Sequence, residues 1–400
     1  MTREQIRQEI LQIQSSNVLL MLATSIGKTK CALDFIDNKK EIGKILVVVP
    51  RLVLIEGWKA EFRKWNYEYL LNDTIFVTYK SLHKYETTTF TYVIYDECHH
   101  LSDNCLESAK CINVHTKYNV LLSATVKQLH LTKLQYIFKD LYIYKVSLKD
   151  AISDTILPDP QVYLIPLELD NTYETYEIVK NPKCKQEITI YYKDRWKYLK
   201  NPLYKNTKIT MYCTAKQYYL ENQGLIEWYK TKIYNSIFKN KFQQACLERL
   251  KWLSKQKEGL VLEILSHLSN KRVLTFCSTI EQTEILGEHC INSKNKKALE
   301  ILDKFQNKEI NHITACGMLN EGANLVDCQI GIFASLHSSE IIITQRNGRL
   351  LRHSDPIFII PYFKNTRDEE IVNMMLKDYN PDKIIIAENL YKMLYEINNR

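Results

Sequence analysis

Residues 17–29 read NVLLMLATSIGKT. An apolar run of buried-strand length enters a turn of small residues, and the following KTKCALDFI has helical spacing. A strand that delivers a tight turn to a helix N-terminus makes an anion site, because backbone N–H groups and the helix dipole converge there. Gly27 permits close backbone approach, Lys28 brings a cation to a phosphate, and Thr29 offers a hydroxyl to a magnesium ion. Ser25 stands where a more flexible residue would be looked for. By itself the loop leaves an ordinary strand-to-helix turn open.

Working outward, short runs rich in Val, Ile and Tyr alternate with helical patterns: KILVVVP, TIFVTY, TYVIYDE and YNVLLSAT all precede residue 126, and RVLTFCS, HITACG, IGIFAS and IFIIPYF repeat the rhythm late. Strands alternating with helices predict an α/β fold, with parallel sheets covered on both faces. At 400 residues the chain exceeds one core, so two such domains in tandem are expected, at 1–150 and 259–365. Between them, 151–258 holds a Pro-punctuated crossing with one strand over 162–169. A helical insertion follows, its periodicity carried by Ile226, Tyr229, Ile233, Phe238, Phe242, Leu247, Leu250 and Leu253. Residues 366–400 read as closing helices.

Charge is uneven. Residues 180–258 hold 18 Lys and Arg against 6 Asp and Glu, so the remainder of a chain with net charge +8 is acidic. Trp196, Tyr198, Trp228 and Tyr229 interleave with these cations, a pattern that suits either nucleic-acid contact or a small core with a solvated basic face. The 11 cysteines are spread along the chain and never spaced C-x-x-C, which argues against a disulfide framework or a zinc ribbon and for a reducing compartment. No apolar run approaches the ~18 residues of a membrane span, and the N-terminus lacks a secretory signal. No membrane partner and a cytoplasmic location are expected, in the host cytoplasm if the source is viral.

YVIYDECHHL, residues 92–101, places Asp96 and Glu97 at the C-terminal end of an apolar strand, the edge where open parallel sheets bind ligands. Adjacent carboxylates there suit a cation and a reacting water: Asp96 for magnesium, Glu97 as base. Zinc ligation by Cys98, His99, His100 and Cys105 fits the spacing poorly, and a solvated acidic turn is the bland alternative.

With these residues in view, the sequence resembles the superfamily 2 helicases and translocases, DExH branch, over roughly residues 1–378. ATSIGKT is similar to motif I, VVPRLVLIEGW to Ia, VTYKSL to Ib, DECH to II, SAT (123–125) to III, VLTFCST to IV, ACGMLNEGANL to V and QRNGRLLR to VI, in that order. Within the branch the spellings look most like phage or viral helicases and the type III restriction-like group. The resemblance implies two RecA-like domains, with ATP and Mg²⁺ as cofactors. It places nucleotide contacts at Thr24, Ser25, Ile26, Gly27, Lys28, Thr29, Glu321 and Gly322, and adenine contact at Gln5 with Arg3 beside it. Arg349 and Arg352 correspond to arginine fingers, Gln345 to a nucleotide sensor facing His99, and Arg346 to a brace at the domain interface. His99, Ser123, Ala124 and Thr125 would couple hydrolysis to movement. Motif V departs from many relatives, with Asn324 where an aspartate is usual, which leaves Glu321 as the nearby carboxylate.

The resemblance further implies a nucleic-acid strand held by Pro50, Arg51, Thr78, Lys80, Ser81, Ser278 and Thr279, each also an ordinary capping or strand-end residue. The expected protein is a monomeric ATP-dependent helicase acting on nucleic acid, DNA before RNA, with little sequence specificity. Translocation on duplex DNA without unwinding, an RNA helicase, and a non-hydrolysing nucleic-acid clamp are the alternatives. No nuclease or methyltransferase pattern accompanies the motifs.

Overall fold

The computed structural model describes residues 1–179, 186–199, 201–204, 207–317 and 328–400. The first domain is a six-stranded sheet. Its strands are β1 (Asn17–Leu22), β2 (Ile45–Val49), β3 (Thr74–Thr78), β4 (Phe90–Tyr95), β5 (Thr116–Ser123) and β6 (Tyr142–Val146). They run in the order β3-β2-β4-β5-β1-β6, with every pair parallel. A parallel sheet needs helical crossovers, so helices cover both faces and the strands read as unbroken apolar runs. Side chains divide by alternation: Val18, Leu20, Ile45, Val47, Val49, Val120 and Leu122 join one core cluster. Leu19, Leu46, Val48 and Leu121 join the other.

Crossing to the second domain, β7 (Gln161–Leu167) is the expected crossing strand, but it does not remain in a linker. It enters the second sheet as an interior strand. The insertion that follows holds β8 (Tyr173–Val179), β9 (Glu187–Tyr191) and β10 (Lys208–Thr214) in a separate three-stranded sheet, ordered β8-β10-β9. Long helices Ala215–Lys230 and Ser236–Lys255 complete it. These helices lie within the segment 151–258, which also holds the three-stranded sheet. Its core is small, built on buried Ile190, Ile209, Met211 and Cys213, so its strands are polar and aromatic rather than aliphatic.

The second domain adds β11 (Val273–Phe276), β12 (Cys290–Ile291), β13 (His312–Ala315), β14 (Ile330–Ile332), β15 (Ile357–Phe363) and β16 (Ile384–Ile386). Its seven strands run β12-β13-β11-β14-β15-β7-β16, again all parallel. The boundaries read from sequence are therefore corrected at both ends: 161–167 and 384–386 belong to this sheet, and 366–400 is not purely helical. One core cluster runs from Ile6 through both sheets to Tyr379. Among the described residues no helix is long and apolar enough to cross a membrane.

A buried ion pair fastens the insertion's base to the second domain. Lys257 Nζ donates to Asp368 Oδ2 at 2.8 Å and to the Pro361 carbonyl at 3.3 Å, and the two side chains are 0% and 1% exposed. Removing one partner strands a charge in the interior, which costs far more than the pair contributes. Lys257→Met, which keeps the aliphatic stem, is expected to destabilise the domain by about 3–5 kcal/mol in urea unfolding. A loss below about 1 kcal/mol would mean that solvent reaches Asp368.

Candidate active site

The turn after β1 adopts the conformation that an anion cradle needs. Ser25 and Gly27 both have positive φ, 71° and 111°, and Gly27 caps the helix Lys28–Asn38. Lys28, in the first turn of that helix, reaches across the sheet edge to Glu97 Oε1 at 3.3 Å. Glu97 itself sits in the left-handed region at φ 49°, with Asp96 between it and the end of β4 at Tyr95. That strained turn lifts its carboxylate out of the strand and toward the loop.

Asp96 is half-buried beside it, and desolvation together with the Glu97 carboxylate pushes its pKa up. Trp58 Nε1 donates to Asp96 Oδ2 at 2.8 Å, and the Tyr79 hydroxyl donates to its carbonyl at 2.7 Å. A second cation at this edge would favour the ionised carboxylate, which is how a magnesium ion would be recognised. His99 Nδ1 lies 3.4 Å from Glu97 Oε2 and 3.1 Å from Ser123 Oγ, and Ser123 Oγ donates to the Thr125 carbonyl at 2.8 Å. A chain thus runs from Glu97 through His99 to the end of β5, with Ala124 between its last two members. Thr125 Oγ1 is buried with no hydrogen-bond partner among the described residues. The zinc alternative gathers no common centre: His100 stacks on Tyr79, and Cys105 Sγ contacts the Tyr79 carbonyl.

The second domain closes the other wall. Helix Glu340–Leu350 lays its backbone on the phosphate loop: Thr24 Oγ1 donates to the Thr344 carbonyl at 3.2 Å, and Ser25 Oγ to the Gly348 carbonyl at 2.7 Å. Gly348 is required by this approach, since a Cβ there would fall 1.8 Å from Thr24 Oγ1. Arg352 Nε donates to Ser25 Oγ at 3.2 Å. Between the walls lies a cleft of about 580 Å³, lined by residues 24–31, Asp96 and Glu97 on one side and by Gln345, Gly348, Arg349 and Arg352 on the other. This volume is in the range of small-molecule sites.

Some expected residues stand elsewhere. Gln5 does not line the cleft: its Oε1 accepts the Thr2 N–H at 2.6 Å in a helix-capping box, and Arg3, Glu4 and Arg7 face the cavity instead. Arg346 does not brace the domain interface. It is buried within the second domain, bonds the Ser335 carbonyl at 2.7 Å and packs over Phe276. Glu321 and Gly322 lie outside the described residues. Pro50 and Arg51 follow β2, Thr78 ends β3, and Lys80 and Ser81 lie in the short helix Tyr79–Tyr85, all at the same sheet edge. Ser278 and Thr279 follow β11, where both hydroxyls are tied to Gln282. Sequence reasoning passed over Trp58 and Glu61 of helix Leu54–Lys64 and Trp65 at its C-cap, which line the cleft; their helical spacing, 58-61-65, was the available signal.

Comparison with known proteins follows the same division. Residues 2–128 match the family described as type III restriction enzyme, res subunit, and residues 256–354 match the helicase conserved C-terminal domain. A DNA 3'-5' translocase XPB2 of Sulfurisphaera tokodaii is 22% identical over 358 residues, covering 84% of this chain and 75% of that one. Among solved structures, S. cerevisiae Dbp5 bound to RNA and ADP BeF3 aligns with TM-score 0.61 at 9% identity, over 99% of this chain and 92% of Dbp5. The type ISP restriction-modification enzyme LlaBIII bound to DNA aligns with TM-score 0.56 at 13% identity, over 100% of this chain and 32% of that larger one. At these identities the structural likeness speaks to the fold alone.

Proposed function

Since this chain belongs to the superfamily 2 helicases and translocases, ATP-hydrolysing enzymes with a type III restriction-like relationship, we propose that it moves along DNA by closing and opening the cleft around ATP and Mg²⁺. The observation that carries this is one cleft lined from both domains, with Lys28, Asp96 and Glu97 on one wall and Gln345, Arg349 and Arg352 on the other. The residues fit the cofactor: a left-handed loop at a helix N-terminus, a lysine, and two carboxylates at a strand end.

When bound, ATP with Mg²⁺ supplies the phosphoanhydride bond whose hydrolysis drives the motor. Lys28 then exchanges Glu97 for phosphate oxygens, and Glu97 becomes available to orient and deprotonate water. His99 holds the second Glu97 oxygen and transmits its position to Ser123. Thr29 and Asp96 are the magnesium-side groups, the latter oriented by Trp58. Arg349 and Arg352 bring positive charge from the second domain to the transferring phosphoryl group.

The strand is proposed to cross the C-terminal sheet edges at Pro50, Arg51, Thr78, Lys80, Ser81, Ser278 and Thr279, which suits phosphate contact without base reading. DNA is favoured over RNA because the related translocase named above acts on DNA. A monomer suffices, since both walls of the cleft come from one chain. Steady-state ATPase titrated with single-stranded DNA, duplex DNA and RNA tests the reading. Stimulation by DNA is expected; stimulation by RNA alone would reassign the substrate, and no hydrolysis with any of them would leave a nucleic-acid clamp. Movement on duplex without unwinding is the second reading favoured by the translocase likeness, and triplex displacement against strand displacement separates the two.

The basic insertion is proposed to hold the same strand. Arg195 is not available for this, being paired with Glu221 at 2.7 Å, and Lys200 lies outside the described residues. Lys193, Lys197, Lys239 and Lys241 are exposed, and the Lys197 pair with Asp194 at 3.1 Å is solvent-facing, unlike the half-buried Arg195–Glu221 pair. Changing all four to Gln is expected to weaken binding to every sequence alike and to flatten the salt dependence by roughly 0.7–0.9 of a log–log unit per lost phosphate contact. An unchanged slope in the folded variant would detach this face from the strand.

A further inference from the structure

Ser25 occupies a backbone position that favours glycine, φ 71°, within a loop whose task is to present N–H groups. Glycine would adopt that turn without strain, so what the serine side chain adds must be sought in its contacts. They lead away from the nucleotide. The hydroxyl donates to the Gly348 carbonyl at 2.7 Å and accepts from Arg352 Nε at 3.2 Å, both more than 300 residues distant on the opposite wall. The Ser25 carbonyl is held from the other side by Arg3 Nη2 at 3.3 Å, and the same nitrogen bonds the Ile156 carbonyl at 3.3 Å, at the entrance to the crossing.

We propose that Ser25 is a positioning residue: its hydroxyl latches helix Glu340–Leu350 to the phosphate loop before nucleotide arrives and seats Arg352 over the cleft. The proposal rests on the ATPase reading of that cleft. One oxygen uses both of its hydrogen-bonding roles on one partner segment, donating to the carbonyl of residue 348 and accepting from the guanidinium of 352, so it fixes the helix end and the arginine together. Thr24, one residue earlier, adds its bond to Thr344, and the bare Gly348 lets the backbones meet. An arginine delivered this way needs less reorganisation when the transition state forms.

A mutant cycle and a scattering measurement test the latch. Ser25→Gly, which relaxes the backbone and deletes the hydroxyl, is expected to lower single-turnover kcat about tenfold with the KM for ATP within about twofold. Gly348→Ala, which pushes the helix off Thr24, is expected to give a similar kcat loss from the opposite wall. In an Arg352→Ala background, Ser25→Gly should cost less than about twofold, because the residue it positions is gone. Without nucleotide, Ser25→Gly should show a larger radius of gyration than the parent protein in small-angle scattering. A full tenfold loss in the Arg352→Ala background, unchanged kcat with a raised KM, or an unaltered radius of gyration would overturn the proposal. An inactive parent protein would instead strike the ATPase reading, and the scattering comparison would still decide the latch.

Discussion

Arg352→Ala is expected to lower ATP turnover by about 10³-fold or more, on the order of 4 kcal/mol of transition-state stabilisation. The size follows from where the charge sits. Arg352 comes from the second domain yet lies against the phosphate loop of the first, 3.2 Å from Ser25 Oγ, so its guanidinium is placed to meet charge that develops on a transferring phosphoryl group. Arg349 shares the cleft wall. Binding of nucleic acid without nucleotide should survive the change. If hydrolysis persisted while nucleic-acid binding disappeared, the segment 345–352 would be a backbone-phosphate site and not a source of arginine fingers.

Glu97→Gln is the second large effect expected. The amide keeps the shape of the side chain and a hydrogen bond to Lys28, so the loop and Asp96 remain in place. Only the ability to take a proton from water is lost, a contribution of about 10²–10⁴-fold for a positioned general base. Equilibrium binding of a fluorescent ATP analogue should stay near that of the parent protein while turnover falls by that factor. Near-normal turnover would move the base to another residue.

How much of this was legible in the sequence depends on what each segment buries. β1, β2, β4 and β5 are covered on both faces, so LLML, ILVVV, YVIY and NVLLS stand out as apolar runs, and the order of the charged residues at their ends followed. β8, β9 and β10 were not legible, because a sheet whose core cluster rests on Ile190, Ile209, Met211 and Cys213 tolerates Glu, Thr, Lys and Tyr along its strands. β16 escaped for another reason: three residues on an edge carry no periodicity, and Ile385 and Ile386 remain exposed. At the cleft, Lys28, Asp96 and Glu97 come together as their local patterns suggested, a loop before a helix and a strand end, because each lies at the C-terminal edge of one sheet. Gln5 stands in a capping box because a helix start can use its amide, and Arg346 lies inside the second domain on the Ser335 carbonyl because a buried arginine spells the same as one at an interface. The Ser25–Arg352 contact joins positions 327 apart, a distance over which no local pattern speaks.

The central claim, that ATP hydrolysis in the interdomain cleft drives movement along nucleic acid, is tested most directly by displacement of a bound streptavidin or triplex-forming strand from a DNA track. ATP-dependent displacement by the parent protein, abolished in both Glu97→Gln and Arg352→Ala although each still binds DNA, is the predicted result. DNA-stimulated hydrolysis with no displacement from any track, or displacement that survives Glu97→Gln, would contradict it.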